Sequence, residues 1–180
     1  MIASGAADSA NDNKSSTTEL DSHANMAVVG AQATVIQETG LLADVNAFSE
    51  EVSTLKRIPI NDVAIAYDCP YLQQTFLLII RNVLHVTSMH HNLILPFVME
   101  EAGLEVDAKA KIHSKDLVVS NHSVHDPITT LRIPLKLRGI FSCFKTRSLT
   151  DEEIMNCTDY PKVYLAPDGD RWVSQLNPLG

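Results

Sequence analysis

The sequence predicts a mostly β protein, and three observations carry that expectation. Hydrophobic residues make up 45% of the 180 residues and charged ones 20%, the balance of an ordinary soluble globular protein. Aromatics are only 6% with a single Trp, so the core must rest on Val, Ile and Leu, residues that favour strands. From about residue 20 to 112 the apolar residues come in short runs broken by turn residues, as strands do. One well-supported helix interrupts them.

The elements follow in order. Residues 3–18 hold no large apolar side chain and cannot offset the entropy of ordering, so 1–17 reads as a disordered lead-in and structure should begin near Thr17. Leu20 opens an apolar run; 26–29 is another, ended by Gly30. The runs at 33–36 and 41–45 flank Glu38-Thr39-Gly40, which reads as a turn. Runs at 58–60 and 63–67 precede the polar stretch 68–74, and 75–80 and 83–86 follow as strands, so 63–80 predicts a hairpin with a long polar tip. Pro96 suits the first turn of a helix and Gly103 its stop. Residues 131–137 alternate, Arg138-Gly139 turns the chain and 140–146 returns, a second hairpin in which Pro134 marks an edge strand. Thr150-Asp151-Glu152-Glu153 is a capping box opening a short helix. The tail from Asp159 is rich in Pro, Gly and Asp and reads as irregular.

Charge and composition exclude several functions. Net charge is −8, which repels phosphate backbones, so no nucleic-acid partner is expected of this chain. The longest apolar run, 76–80, is far too short to span a bilayer. Three widely spaced cysteines, Cys69, Cys143 and Cys157, suit free thiols in a reducing, cytoplasmic compartment. No metal and no cofactor are expected. His90 and His91 would point to opposite faces of a strand, and His122-Ser123-Val124-His125-Asp126 reads as a solvated polar loop despite its His-x-x-His spacing. The pairs Glu50-Glu51 and Glu100-Glu101 read as solvated faces. Neither a G-x-S-x-G motif nor a glycine cluster for phosphate exists.

The informative segment is Leu20-Asp21-Ser22-His23-Ala24-Asn25-Met26-Ala27-Val28-Val29. It resembles the active-site loop of retropepsins, in which an apolar residue precedes Asp, Thr or Ser, Gly and Ala. A second stretch adds to the match: His91-Asn92-Leu93-Ile94-Leu95 leads straight into the Pro96 helix, as the closing strand and helix of that fold do. The phrases Ile79-Ile80-Arg81-Asn82-Val83-Leu84-His85-Val86, Asn92-Leu93-Ile94 and Ala102-Gly103-Leu104-Glu105-Val106 are similar to the protease region of copia-type retrotransposon polyproteins. The resemblance covers 18–112; residues 113–180 would be a β-hairpin and short-helix extension with an irregular tail.

The resemblance implies a closed acid-protease barrel and an aspartic endopeptidase acting on a peptide or polyprotein substrate. Two carboxylates about 3 Å apart cannot both ionise, so they share a proton, one activating water while the other protonates the substrate carbonyl. Asp21 is the only aspartate in such a motif, so a homodimer would complete the site. Ser22, His23 and Ala24 would form the active-site loop, with Ser22 as its lock. Substrate contacts would come from Ala24, Asn25, Val63, Ile65 and Asn92, and the hairpin 63–80 would be the covering flap. His23 stands where the family has Gly, and it favours the alternative, a catalytically inactive retropepsin-derived module that dimerises or binds peptides.

Overall fold

The computed structural model describes residues 15–45, 55–108 and 122–167. They form strands β1 (Ser15–Leu20), β2 (Val28–Val29), β3 (Thr34–Val45), β4 (Leu55–Cys69), β5 (Gln74–His85) and β6 (His91–Ile94), helix α1 (Pro96–Glu101), then β7 (Glu105–Asp107), β8 (Ser123–His125), β9 (Arg132–Pro134), β10 (Lys136–Arg138) and β11 (Phe141–Arg147), helix α2 (Asp151–Met155), a 3-10 turn at Cys157–Asp159, and β12 (Lys162–Tyr164). The protein is mostly β, and no helix among these residues is long and apolar enough to cross a membrane. The disordered lead-in expected for 1–17 lies outside the described residues except for its last three positions, which already belong to β1.

The main sheet runs β10-β11-β1-β6-β2-β5-β4-β3, and β12 joins β5 in parallel. β1 with β6 and β2 with β5 are also parallel pairs. Arg147 pairs with Ala66, so β11 touches β4 as well as β1. A separate three-stranded sheet holds β7, β8 and β9. β10, β11 and β12, all beyond residue 113, are therefore woven into the main sheet instead of being appended to it. β6 covers one edge of β1, and without β11 the other edge would present unpaired backbone; β11 pairs with β1 from Ser15↔Arg147 to Leu20↔Ser142. The tail expected to be irregular contributes β12, whose Val163 is buried.

The second hairpin is shorter than the sequence suggests. The run 131–137 divides at the buried Leu135, whose N–H donates to His122 O at 2.9 Å. Before that point β9 pairs with β8, and after it β10 pairs with β11. Pro134, which has no N–H to give a ladder, sits on the outer strand of the small sheet. The capping box is present: Thr150 Oγ1 accepts from Glu153 N at 3.1 Å, and Glu153 Oε2 accepts from Thr150 N at 2.9 Å. α1 starts on Pro96, and Gly103 follows it at φ +95°, a conformation that suits glycine.

Runs that read as separate strands are joined by bulges. Between Glu38↔Asn61 and Leu41↔Ile60, β3 carries Thr39 and Gly40 as extra residues, so the expected turn is an irregularity within one strand. Between Asn61↔Val83 and Val63↔Ile80, two residues of β5 oppose Asp62 alone. One of them, Asn82, has φ +53°, and its N–H donates to Asp62 Oδ1 at 2.9 Å. Arg57, at φ +59°, repeats the device with Asp44 Oδ1 at 2.8 Å. At these last two bulges an aspartate supplies the acceptor that the interrupted ladder does not.

The core lies between the inner halves of β4 and β5 and the strands around them. Val63, Ile65, Leu78, Ile80, Val29, Ile94 and Leu95 are all fully buried within it. Tyr67 and Phe144 meet there edge to face, with ring centroids 6.0 Å apart. Cys69 and Cys143 are buried free thiols, and Cys157 is partly exposed.

Candidate active site

β1 alternates its side chains, with Ser16, Thr18 and Leu20 buried, and it delivers Asp21 to the surface as the first residue of the loop leading to β2. Asp21 N donates to Ile94 O at 3.0 Å, tying the loop to the end of β6 just ahead of α1. The Asp21 side chain is half-buried, and its Oδ1 accepts from His23 N at 2.8 Å, an Asx turn that holds the carboxylate over its own loop. Ser22, His23 and Asn25 are exposed. Ser22 Oγ and His23 Nδ1 lie 2.9 Å apart. Ala24 is partly buried against the core, and Ala27 O accepts from Leu84 N at 3.0 Å where the loop rejoins the sheet.

Beneath the loop runs a buried chain of polar side chains. Ser16 Oγ and Thr146 Oγ1 are 2.8 Å apart, and Thr146 Oγ1 and Thr18 Oγ1 are 2.9 Å apart. Asn92 Nδ2 donates to Thr18 Oγ1 at 3.1 Å, and Asn92 Oδ1 accepts from Gly30 N at 2.9 Å. The chain thus links β11, β1, β6 and the turn after β2, all elements that flank Asp21. Gly30 admits no larger residue, because a Cβ there would lie 2.5 Å from Met89 O. Fully satisfied buried networks of this kind fix one arrangement of the elements that carry them.

The residues expected to touch substrate divide into two groups. Asp21, Ser22, His23, Ala24 and Asn25 are contiguous on the loop. Val63 and Ile65 are 0% exposed and belong to the core, opposite Ile80 and Leu78 across the β4–β5 ladder. Asn92 is also fully buried, and both ends of its amide are committed to Thr18 and Gly30. In this arrangement all three act as supports. Of the hairpin 63–80, the strands are mostly core, and the exposed residues are Asp68 and the tip from Pro70 to Gln74. The hairpin that stands clear of the core is β3–β4, with Ile36, Leu41, Leu42 and Leu55 exposed.

Four other aspartates have structural duties: Asp44 and Asp62 at bulges, Asp68 on Arg147, and Asp126 accepting from Ile128 N and Thr129. His122 lies on β8's flank with Nε2 2.9 Å from Ser142 Oγ, while His125 Nδ1 is 2.9 Å from Glu105 Oε2, so these histidines face different partners from a strand and its approach, not a loop. Glu100 and Glu101 are exposed, and Glu50 and Glu51 lie outside the described residues. The Asp21 motif does not mark Thr18 and Thr146, which the fold brings beneath it. Polar residues at alternate positions 16 and 18 leading to the buried Leu20 were the available signal. Neither a family model, nor a curated protein, nor a solved structure matches this chain.

Proposed function

We propose that the chain is an aspartic endopeptidase of the retropepsin type, working as a homodimer on a peptide or polyprotein substrate. The observation that carries this reading is the setting of Asp21: a half-exposed carboxylate at the end of a core strand, backbone-bonded to Ile94 and backed by the Ser16-Thr146-Thr18-Asn92-Gly30 chain. A rigid strand end with a satisfied polar support is how a catalytic side chain is held in place. The return of the sheet path at Arg147 and Ala66 supports the barrel. A homodimer follows from the chemistry, since acid catalysis of this type needs two carboxylates and the other aspartates above are engaged elsewhere.

In this mechanism the paired Asp21 carboxylates of two subunits share one proton. The ionised one takes a proton from water as it attacks the scissile carbonyl, and the protonated one gives its proton to the carbonyl oxygen. Ala24 and Asn25 line the approach for the substrate backbone. The apolar β3–β4 arm replaces the 63–80 hairpin as the covering element. The non-catalytic alternative draws on one observation, the engagement of Ser22 Oγ by His23 Nδ1, which competes with a lock between subunits.

Peptide hydrolysis fastest at acidic to mildly acidic pH, and abolished in Asp21→Asn with an unchanged circular dichroism spectrum, is the expected result. A folded, dimeric wild-type chain without peptidase activity selects the alternative. Undiminished activity in Asp21→Asn would remove Asp21 from the mechanism altogether.

A further inference from the structure

β11 and β4 meet at a single residue pair, Arg147 with Ala66, and then part. β1 occupies one edge of β11 from Ser142 to Arg147, and β10 occupies the other only from Phe141 to Cys143. Phe144, Lys145 and Thr146 therefore pair with no strand on that second edge among the described residues. β4 is paired with β5 as far as Cys69, while β3 leaves its opposite edge after Ala64. Tyr67, Asp68 and Cys69 are likewise unpaired there. Between the two parted edges lies a groove of about 690 Å³, well within the roughly 300–1,000 Å³ typical of ligand-holding clefts. Unpaired strand edges present N–H and C=O groups to any extended chain that fits alongside.

The side chains of this groove run against the character of the molecule. The chain has 14 Lys and Arg against 22 Asp and Glu, yet Lys136, Arg138, Lys145 and Arg147 all line this one cleft. Its one acidic side chain, Asp68, is already taken by Arg147 at 2.7 and 2.8 Å. Lys136, Arg138 and Lys145 form no ion pair among the described residues. Apolar surface is interleaved with the cations: Tyr71 is 76% and Leu137 46% exposed at the rim, and Tyr67 and Phe144 line the cleft between them.

We propose that this groove docks an extended acidic segment of another polypeptide by strand addition, acidic side chains meeting the lysines and Arg138 and the alternate apolar side chains meeting Tyr71 and Leu137. A single-stranded nucleic acid fits less well. Its phosphates offer acceptors and no donors to a strand edge, and the chain's net charge of −8 opposes it. The proposal stands independently of Asp21, which does not line the groove.

The test uses the full chain and three fluorescent probes: an alternating Glu-Val-Glu-Leu-Glu-Val-Glu peptide, its Lys counterpart, and an oligothymidylate of matching charge. Anisotropy should show the Glu peptide binding and weakening several-fold between low salt and about 0.3 M salt. Lys136→Glu with Lys145→Glu, both exposed positions, should weaken it by about tenfold or more at an unchanged melting temperature. N-methylation of alternate peptide amides should abolish binding, because it removes the donors a strand needs. Equal binding of the Lys peptide, tighter binding of the oligothymidylate, full affinity of the methylated peptide, or no binding of the Glu peptide would each overturn the proposal.

Discussion

The two halves of β4 belong to hairpins of opposite character. From Val63 to Cys69 the strand pairs with β5, and Val63, Ile65 and Ala66 are 0% exposed. Its earlier half, from Leu55 to Asn61, pairs mainly with β3 and carries exposed residues, while Leu41 and Leu42 opposite are 54% and 51% exposed. The earlier half is the more polar, with Lys56, Arg57, Pro59 and Asn61, yet its Ile58 and Ile60 favour a strand as much as Val63 and Ile65 do and are only partly buried, so strand propensity does not decide which of these residues enter the core. What differs is whether a further layer packs on the ladder: Ile94, Leu95, Val98 and Met99 do so for the inner half. An apolar arm without such a layer is not a core element, and its side chains are free to meet something else.

The largest effect expected from this contrast is on stability. Ile65→Ala should destabilise the fold by about 2–5 kcal/mol, through lost burial and the cavity left behind. Ile36→Ala on the arm should change it by about 0.5 kcal/mol or less, as exposed substitutions do. Urea unfolding of the two variants measures the difference directly. Equal losses would mean that the arm is packed as tightly as the core.

Arg147 also distinguishes the inner half, because it pins β11 to it. Its Nη2 donates to Asp68 Oδ1 at 2.8 Å and to Glu153 Oε1 at 2.7 Å, and the Glu153 side chain is only 7% exposed. Hydrogen bonds from this guanidinium hold the Asp68 and Glu153 carboxyls below their ordinary values of 3.8 and 4.5. Both groups are then more acidic folded than unfolded, so their contribution is complete above about pH 4.5 and is lost as pH falls through the lower folded values. Arg147→Met should leave Glu153 buried without its partner, at about 2–3 kcal/mol, with little of that from the exposed Asp68. The variant's stability should also fall less steeply than wild type below pH 4.5. A parallel pH profile for the two proteins would show that the network is not what couples stability to acid.

The β texture, the Pro96 helix, the capping box and the edge position of Pro134 were legible because each rests on local chemistry: a fixed φ, a missing donor, a side chain reaching three residues along. The joining of runs into long strands was not legible. It depends on Asp44 and Asp62 accepting from Arg57 and Asn82, contacts that are 13 and 20 residues apart in sequence. The same limit applies to the site. The loop from Asp21 to Asn25 could be read because it is contiguous. Thr146, 128 residues from the Thr18 it bonds, could not, nor could the burial of Val63 and Ile65, since alternation says that a strand has an inner face without saying which layer covers it.

The smallest stability effect in this comparison is paired with a functional one. Leu41 and Leu42 are 54% and 51% exposed on successive positions of β3, so they point to opposite faces of the arm. Replacing either by Ser should alter the unfolding free energy by no more than about 0.5 kcal/mol. If the arm covers substrate, the face that meets it should lose apolar contact with the peptide, and one of the two variants should drop kcat/KM by roughly tenfold, the scale of about 1–2 kcal/mol of lost transition-state contact. The other face looks away, and its variant should retain wild-type kinetics. That asymmetry separates a covering arm from general loosening of the protein, which would affect both variants alike. Unchanged kcat/KM in both, with normal stability, would take the β3–β4 arm out of the path of the substrate.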